Sequence, residues 1–246
     1  MSSDTTPTPN ASMWVAATVT DVRAESPLVK TFRFTLPHIV EHLPGQHYEI
    51  RLTAPDGYQA ARLYSAASAA SGGRTLELTI ALMPDGEIST YMHQAVKAGD
   101  VIEIRGPLGK FFVWSPDDPT PALLIAGGTG VVPMRCIMQA RAAAGVAPPI
   151  KLLYSVRTNE EILYKDELQH NPDTTITITR QASPDWTGAR GRIAPDILRQ
   201  TLAELPSDAI CYVCGSTPFV EAIADMLVEV GIDAARIKTE RFGATK

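Results

Sequence analysis

Three cysteines in 246 residues are too few for the chemistry that cysteine most often carries. An ordinary 2Fe–2S or 4Fe–4S cluster takes four thiolates, so none is expected within this chain. Cys211-Tyr212-Val213-Cys214 has the spacing of a redox or metal pair, but it lies in an apolar run, Ile210 to Cys214, that reads as a strand. Residues three apart on a strand face opposite sides, and Cys211 and Cys136 are read as small buried hydrophobes. Long apolar runs are also missing: none approaches the ~18 residues of a membrane span. Residues Met1 to Ser12 are polar and lack the apolar core of a signal peptide. They are expected to form a flexible tail of a cytoplasmic protein, with Asn10-Ala11-Ser12 an idle sequon. Positive charge is scarce, 22 Lys and Arg against 27 Asp and Glu, and a net charge of −5 argues against general nucleic-acid binding. No internal repeat is visible.

A zinc motif is present in letters only. His38-Ile39-Val40-Glu41-His42 matches H-x-x-E-H, but that chemistry needs a long helix to bring both imidazoles to one face. Pro37 and Pro44-Gly45 leave barely a turn, so the segment is read as a solvated loop and no metal site is expected.

What the chain does contain is organised in two halves. From Trp14 to Val113 apolar and polar residues alternate, at Phe32, Phe34 and Leu36, at Tyr48, Ile50 and Leu52, and at Leu76, Leu78, Ile80 and Leu82, with a shorter run at Ile102 and Ile104. Turn signals at Asp56-Gly57, Ser71-Gly72-Gly73 and Asp85-Gly86 separate the runs, which predicts a small antiparallel β-barrel with one short helix around Ser89 to Lys97. Three prolines and two aspartates between Trp114 and Pro121 read as a linker. Beyond it, strands are expected at Leu123–Ala126, Ile150–Val156, Thr175–Thr179, Ile210–Cys214 and Ile237–Phe242. Helices are expected at Met134–Ala144, Leu163–His170, Pro195–Leu205 and Phe219–Val230. That alternation implies a doubly wound parallel sheet. The expected domains are a β-barrel over residues 12–115 and an α/β domain over residues 121–246.

The stretch Ala126-Gly127-Gly128-Thr129-Gly130-Val131-Val132-Pro133 joins the first α/β strand to its helix. A strand, a glycine turn and a helix start can hold a diphosphate on backbone N–H groups. Pro133 suits the helix's first turn. The stretch is neither the Walker pattern nor G-x-G-x-x-G, and tight packing without a ligand is the alternative.

Four further stretches fall in order around it: Arg62-Leu63-Tyr64-Ser65, Gly86-Glu87-Ile88-Ser89, Gly106-Pro107-Leu108-Gly109-Lys110-Phe111, and Glu240-Arg241-Phe242-Gly243. With Gly127–Pro133 and Cys214-Gly215, the chain from about Trp14 to Gly243 resembles the ferredoxin–NADP reductase family. The resemblance implies FAD, with FMN a lesser variant. Arg62, Leu63, Tyr64 and Ser65 would hold the flavin: Arg62 on the diphosphate, Tyr64 as a ledge for the ring system, Ser65 near its reacting nitrogen. Gly86, Ile88 and Ser89 would meet the flavin phosphates, a plain hairpin turn and helix cap being the alternative. Gly106 to Phe111 would be mostly structural.

On the nucleotide side the resemblance assigns Gly128, Thr129 and Gly130 to the nicotinamide dinucleotide. Cys214, as a neutral thiol, and Glu240 would lie near the nicotinamide, so Ser65, Cys214 and Glu240 are the expected catalytic set. Phe242 would shield the flavin, although the four residues Gly243 to Lys246 after it put that role in question. Arg157, Arg180 and Arg192, with Arg190, favour NADPH over NADH by supplying cations for a 2′-phosphate, while Glu160 and Glu161 keep NADH open. The implied function is hydride transfer from NADPH to FAD, then release of single electrons to an external carrier, such as ferredoxin, another iron–sulfur protein or a haem oxygenase component. Arg23, Lys30, Arg33 and Lys110 are candidates for a basic docking patch. Two other classes stand beside this reading: a non-catalytic flavin-binding electron-transfer or regulatory subunit, and a nucleotide-binding module with an empty barrel.

Overall fold

The computed structural model describes residues 11–145 and 148–242. The expectations for the polar start with its sequon at Asn10, and for Gly243 to Lys246, lie outside the described residues. Leu28–Val113 forms one unit with the chain up to Ala24, and the chain from Trp114 forms the second with Glu25–Pro27.

The first unit contains β1 (Val15–Ser26), β2 (Val29–Thr35), β3 (His47–Thr53), β4 (Gln59–Ser65), β5 (Thr75–Ala81), α1 (Glu87–Gln94) and β6 (Val101–Leu108). The strands make one antiparallel sheet in the order β4-β3-β6-β1-β2-β5. A bridge between Ala66 and Leu78 ties the chain leaving β4 to β5, so the two edge strands meet and the sheet curls into a nearly closed barrel. The alternation read from the sequence sets the inner face. Phe32 and Phe34 stand opposite Leu78 and Leu76, and Ile50 stands opposite Ile104, all fully buried. Each such side chain contributes about 1.5–3 kcal/mol on burial. β1, the longest strand, was not among the runs picked out by alternation, because its buried residues are only Ala17 and Val19.

The outer face of β2 and β5 is polar and paired across the strands. The hydroxyls of Thr31 and Thr79 lie 2.7 Å apart, and Arg33 makes a 2.8 Å ion pair with Glu77. Lys30 Nζ donates to the His93 carbonyl at 2.7 Å. Two of the four cations considered for a docking patch are therefore held by their own barrel. The segment carrying His38 and His42 forms no helix and is the loop expected, with Ile39, Glu41 and Leu43 exposed, but Val40 and His42 turn inward. His42 is buried, with Nε2 donating to the Ser68 carbonyl at 2.8 Å and Nδ1 3.2 Å from the Tyr48 hydroxyl.

The second unit runs β7 (Ala122–Gly127), α2 (Val131–Ala143), β8 (Ile150–Thr158), α3 (Lys165–Gln169), β9 (Thr174–Gln181), β10 (Ala189–Arg190), α4 (Pro195–Ala203), β11 (Ile210–Ser216), α5 (Thr217–Glu229) and β12 (Ile237–Phe242). Its six strands are parallel, in the order β10-β9-β8-β7-β11-β12. Leu198 of α4 and Val220, Ile223 and Leu227 of α5 pack with Leu123, Ile125, Cys211 and Val213 of the sheet. The helix expected over Leu163–His170 is shorter, because Tyr164 adopts a left-handed conformation, φ 51°, and delays its start. The buried Tyr154 hydroxyl accepts the Leu163 N–H, and the Arg135 guanidinium lies 4.4 Å from the Tyr164 ring while Nε donates to Glu167 at 2.7 Å. α2 starts three residues earlier than expected, since the glycine turn runs straight into it.

The buried neutral imidazole makes the barrel sensitive to acid. Burial holds His42 below its ordinary value, and His38 and His47 shift the same way by desolvation. Below about pH 6.5, the unfolded imidazole takes up protons that the folded one resists, so stability falls with pH through that window. The melting temperature is expected to drop between pH 7 and pH 5, less steeply in His42→Gln, which keeps a donor for Ser68 but does not titrate. An equal slope in the variant would contradict this role.

Candidate functional site

Strand periodicity decides what β4 presents. Alternate residues share a face, so Arg62 and Tyr64 lie together and Leu63 and Ser65 lie on the other side. The Arg62 guanidinium is exposed and donates to the carbonyl of its own neighbour, Ala61, at 2.7 Å. Tyr64 is half-buried, and burial pushes its phenol up to about 12 against the opposing charge of Arg62. Leu63 is 54% exposed and stands opposite Glu49. Ser65 is buried at the end of β4, opposite His47, where the chain turns toward β5.

α1 begins beside this strand. Gly86 is extended and opens the helix, and Ile88 is buried beneath its first turn. The Ser89 hydroxyl accepts from the Met83 N–H and donates to the Gly86 carbonyl, both at 3.1 Å. That hydroxyl caps the turn, which leaves the helix-start N–H groups as what this stretch can offer an anion.

In the second unit the chain steps outward from β7 through β8, β9 and β10, then returns on β7's other side as β11. The switch point lies between β7 and β11, where this architecture places ligands. Gly128 to Gly130 forms a single tight helical turn there, leading into α2. Gly128 has φ +55°, and a β-carbon on it would meet nothing within 4 Å, so the space in front of it is open. Gly130 differs: a β-carbon there would sit 2.1 Å from the Cys214 carbonyl oxygen, so this glycine lets α2 approach β11. Phe219, which sequence reasoning did not single out, packs its ring within 2.8 Å of where β-carbons on Gly127 and Gly215 would lie. Its signal was its position, just past Cys214-Gly215 in the first turn of α5.

Cys214 and Glu240 are register partners on neighbouring strands, and Phe242 is the partner of Ser216. Cys214 is fully buried, and burial, with the Glu240 charge adding to it, raises its thiol well above the ordinary range. It is a neutral thiol, not a nucleophile. Cys211 lies in the core on the opposite face, pushed up to about 12 by burial, and none of the three cysteines is in a disulfide. The remaining arginines gather at strand ends. Arg157 and Arg180 lie at the ends of β8 and β9, and Arg192 lies two residues beyond β10, all exposed. Arg190 is spent on the preceding loop, donating to the carbonyls of Ser183 and Trp186.

Residues 16–113 match the oxidoreductase FAD-binding domain family, and residues 124–225 match the oxidoreductase NAD-binding domain family. Ferredoxin–NADP reductase B of Sorangium cellulosum is 31% identical over 235 residues, covering 90% of this chain and 94% of that protein. The chain belongs to the ferredoxin–NADP reductase family. It is an FAD- and NAD(P)-binding oxidoreductase. The glycine betaine monooxygenase reductase subunit of Chromohalobacter salexigens is 29% identical over 228 residues, 88% of this chain, and this chain spans 61% of that relative's length. Among solved structures, the FAD/NAD-binding domain of a Vibrio cholerae nitric oxide dioxygenase superposes with a TM-score of 0.80 at 26% identity, covering 94% of this chain and 99% of that one. The family's two cofactors fit these residues: β4 offers a cation beside an aromatic face, and Gly128 leaves open space at a helix start.

Two consequences of the packing can be measured. Gly130→Ala is expected to cost about 3 kcal/mol, the upper range for overpacking, read as a lower denaturation midpoint. In the native protein no thiol should react promptly with a disulfide reagent at pH 8, and all three should react after denaturation. A rapidly titrating native thiol would contradict the burial described.

Proposed function

We propose that this chain is an NADPH-dependent flavoprotein reductase that hands electrons one at a time to a separate carrier protein, such as a ferredoxin, another iron–sulfur protein or an oxygenase component. The carrying observation is that one chain holds both half-sites, the Arg62–Tyr64 face on β4 and the Gly128 turn at the switch point. When bound, FAD supplies the chemistry of accepting a hydride from the nicotinamide at N5 and releasing its two electrons singly. The chain's own residues supply position, which accounts for much of the rate in such a step. Tyr64 would give the flavin a rigid ledge, and Arg62 would neutralise its diphosphate together with the N–H groups after Gly86. Ser65, on the other face of β4 but at its very end, where the chain turns toward β5, would supply the hydroxyl nearest the reacting edge. Gly128, Thr129, Gly130 and the start of α2 would hold the dinucleotide diphosphate. Cys214 and Glu240, register partners on β11 and β12, would border the nicotinamide, the first as a neutral, polarisable wall.

Three cysteines supply no cluster, so the one-electron acceptor lies outside these residues. Among the described residues no helix is long and apolar enough to cross a membrane, and three cysteines outside any disulfide suit the reducing cytoplasm. The boundaries we propose for the working domains are residues 12–115 and 121–246. NADPH is favoured because Arg157, Arg180 and Arg192 present cations at adjoining strand ends. One observation favours NADH instead: Glu161 Oε2 lies 3.1 Å from the Arg157 backbone N–H, placing a carboxylate at the same end of β8.

Steady-state ferricyanide reduction with each nucleotide, then a panel of carrier proteins, tests the proposal. NADPH should have the lower KM, and Arg192→Ala should raise that KM about ten-fold while leaving NADH unchanged, in keeping with loss of one charge-assisted contact. A lower KM for NADH would overturn the nucleotide assignment, and absence of turnover with both would favour a non-catalytic subunit. Gly128→Ala should weaken nucleotide binding at least about ten-fold, with a cost of about 1–2 kcal/mol for forcing alanine into the left-handed region.

A further inference from the structure

The flavin reading uses only half of the face that β4 exposes. The ladder between β3 and β4 continues one residue past β4, with the Ala54 N–H donating to the Tyr58 carbonyl at 2.8 Å. Tyr58 therefore keeps step with the strand, and alternation puts Tyr58, Ala60, Arg62 and Tyr64 on one side. A second observation fixes the direction of the Tyr58 side chain. Its hydroxyl donates to Glu87 Oε2 at 3.1 Å, and Glu87 is the first residue of α1, the helix lying along β4. The backbone is also held, since the Tyr58 N–H donates to the Asp56 side chain at 3.0 Å. The Tyr58 phenol is raised first by its bond to Glu87, and the opposing influence of Arg62 puts that guanidinium within electrostatic reach. What results is an aromatic face, 57% exposed, tethered at its edge and aligned with a cation and a second aromatic ring.

The spacing matches a dinucleotide more closely than a mononucleotide. Six residue steps along the strand separate the two tyrosines, about 20 Å at the usual rise, with the cation between them and nearer Tyr64. A flavin lying on Tyr64 with its phosphate at Arg62 has used that part of the strand. An FMN would end there. In FAD the second phosphate, ribose and adenine continue, and past Arg62 the strand offers the small Ala60 and then the Tyr58 ring.

We propose that Tyr58 is the stacking platform for the adenine of FAD, and that the preference for FAD over FMN is set at this residue. The proposal rests on the reading of β4 as the flavin edge. Glu87 acts as a positioning residue: by accepting from the phenol it fixes the ring and draws a first-turn carboxylate toward the hairpin. Adenine presents a π-face and stacks on exposed aromatic side chains in the same way as other bases.

The test is flavin titration of the deflavinated full-length protein, followed by flavin fluorescence, with FAD and FMN added separately. Tyr58→Ala should weaken FAD about ten-fold, in line with loss of one base–aromatic stack, and leave FMN unchanged. Tyr58→Phe and Tyr58→Trp, which keep the platform, should retain most of the preference for FAD. Far-UV circular dichroism of each variant reports whether the hairpin substitution has altered the fold. Equal loss of FAD and FMN, or no loss of either, would overturn the role of Tyr58 while leaving the flavin site standing. A wild-type protein that binds neither flavin would overturn the underlying reading of β4 itself.

Discussion

A strand offers its side chains alternately to two faces, and the chemistry assigned to this protein depends on that constraint at each half-site. On β4 it groups Arg62 with Tyr64 and sends Leu63 to the other side. On β11 it sends Cys214 away from Cys211, so a sequence that spells a thiol pair holds two unrelated cysteines. Parallel pairing then brings Glu240 beside Cys214, where burial and a neighbouring carboxylate together keep the thiol protonated. A shift of one residue in either register would turn these groups to the wrong face.

The nucleotide half adds a second constraint, close approach. The strand order reverses between β7 and β11, the position at which open α/β sheets place ligands, and two glycines answer different demands there. Gly130 lets the α2 backbone lie against the Cys214 carbonyl, which fixes where the helix begins. Gly128 turns left-handed and leaves the space ahead of it open. The positive end of a helix facing open space is a suitable setting for an anion. The Phe219 ring fills the gap beside Gly127 and Gly215, from the α5 side.

Much of this was legible in the letters because strand alternation and turn residues are local signals. The barrel, the change to alternating strands and helices after Pro121, and the six short motifs all follow from residues close in sequence. What escaped was set by distant partners. β1 buries little beyond Ala17 and Val19, so its pattern was faint. The start of α3 falls later than its pattern suggests because Tyr154, on the preceding strand, and Arg135, on α2, engage Leu163 and Tyr164 in the turn before it. His42 lies in the loop expected, but nothing nearby announces that it is buried against Tyr48 and Ser68. Lys30 and Arg33, read as candidates for a docking patch, also bond to the His93 carbonyl and to Glu77, which the sequence does not display. In the candidate site, Arg62, Tyr64 and Gly128 could be named from sequence, but the separate duties of Gly128 and Gly130, and the engagement of the Ser89 hydroxyl within its own turn, depend on contacts that no local pattern announces.

The central claim is that one chain carries a flavin and reduces it with a pyridine nucleotide. The most direct measurement is the visible absorption spectrum of the purified protein, reconstituted with FAD and titrated with NADPH in the absence of oxygen. The account predicts a yellow protein whose flavin band bleaches at close to one equivalent of nucleotide. A flavin that stays oxidised with excess NADPH and NADH, or a protein that retains no flavin after reconstitution, would contradict it.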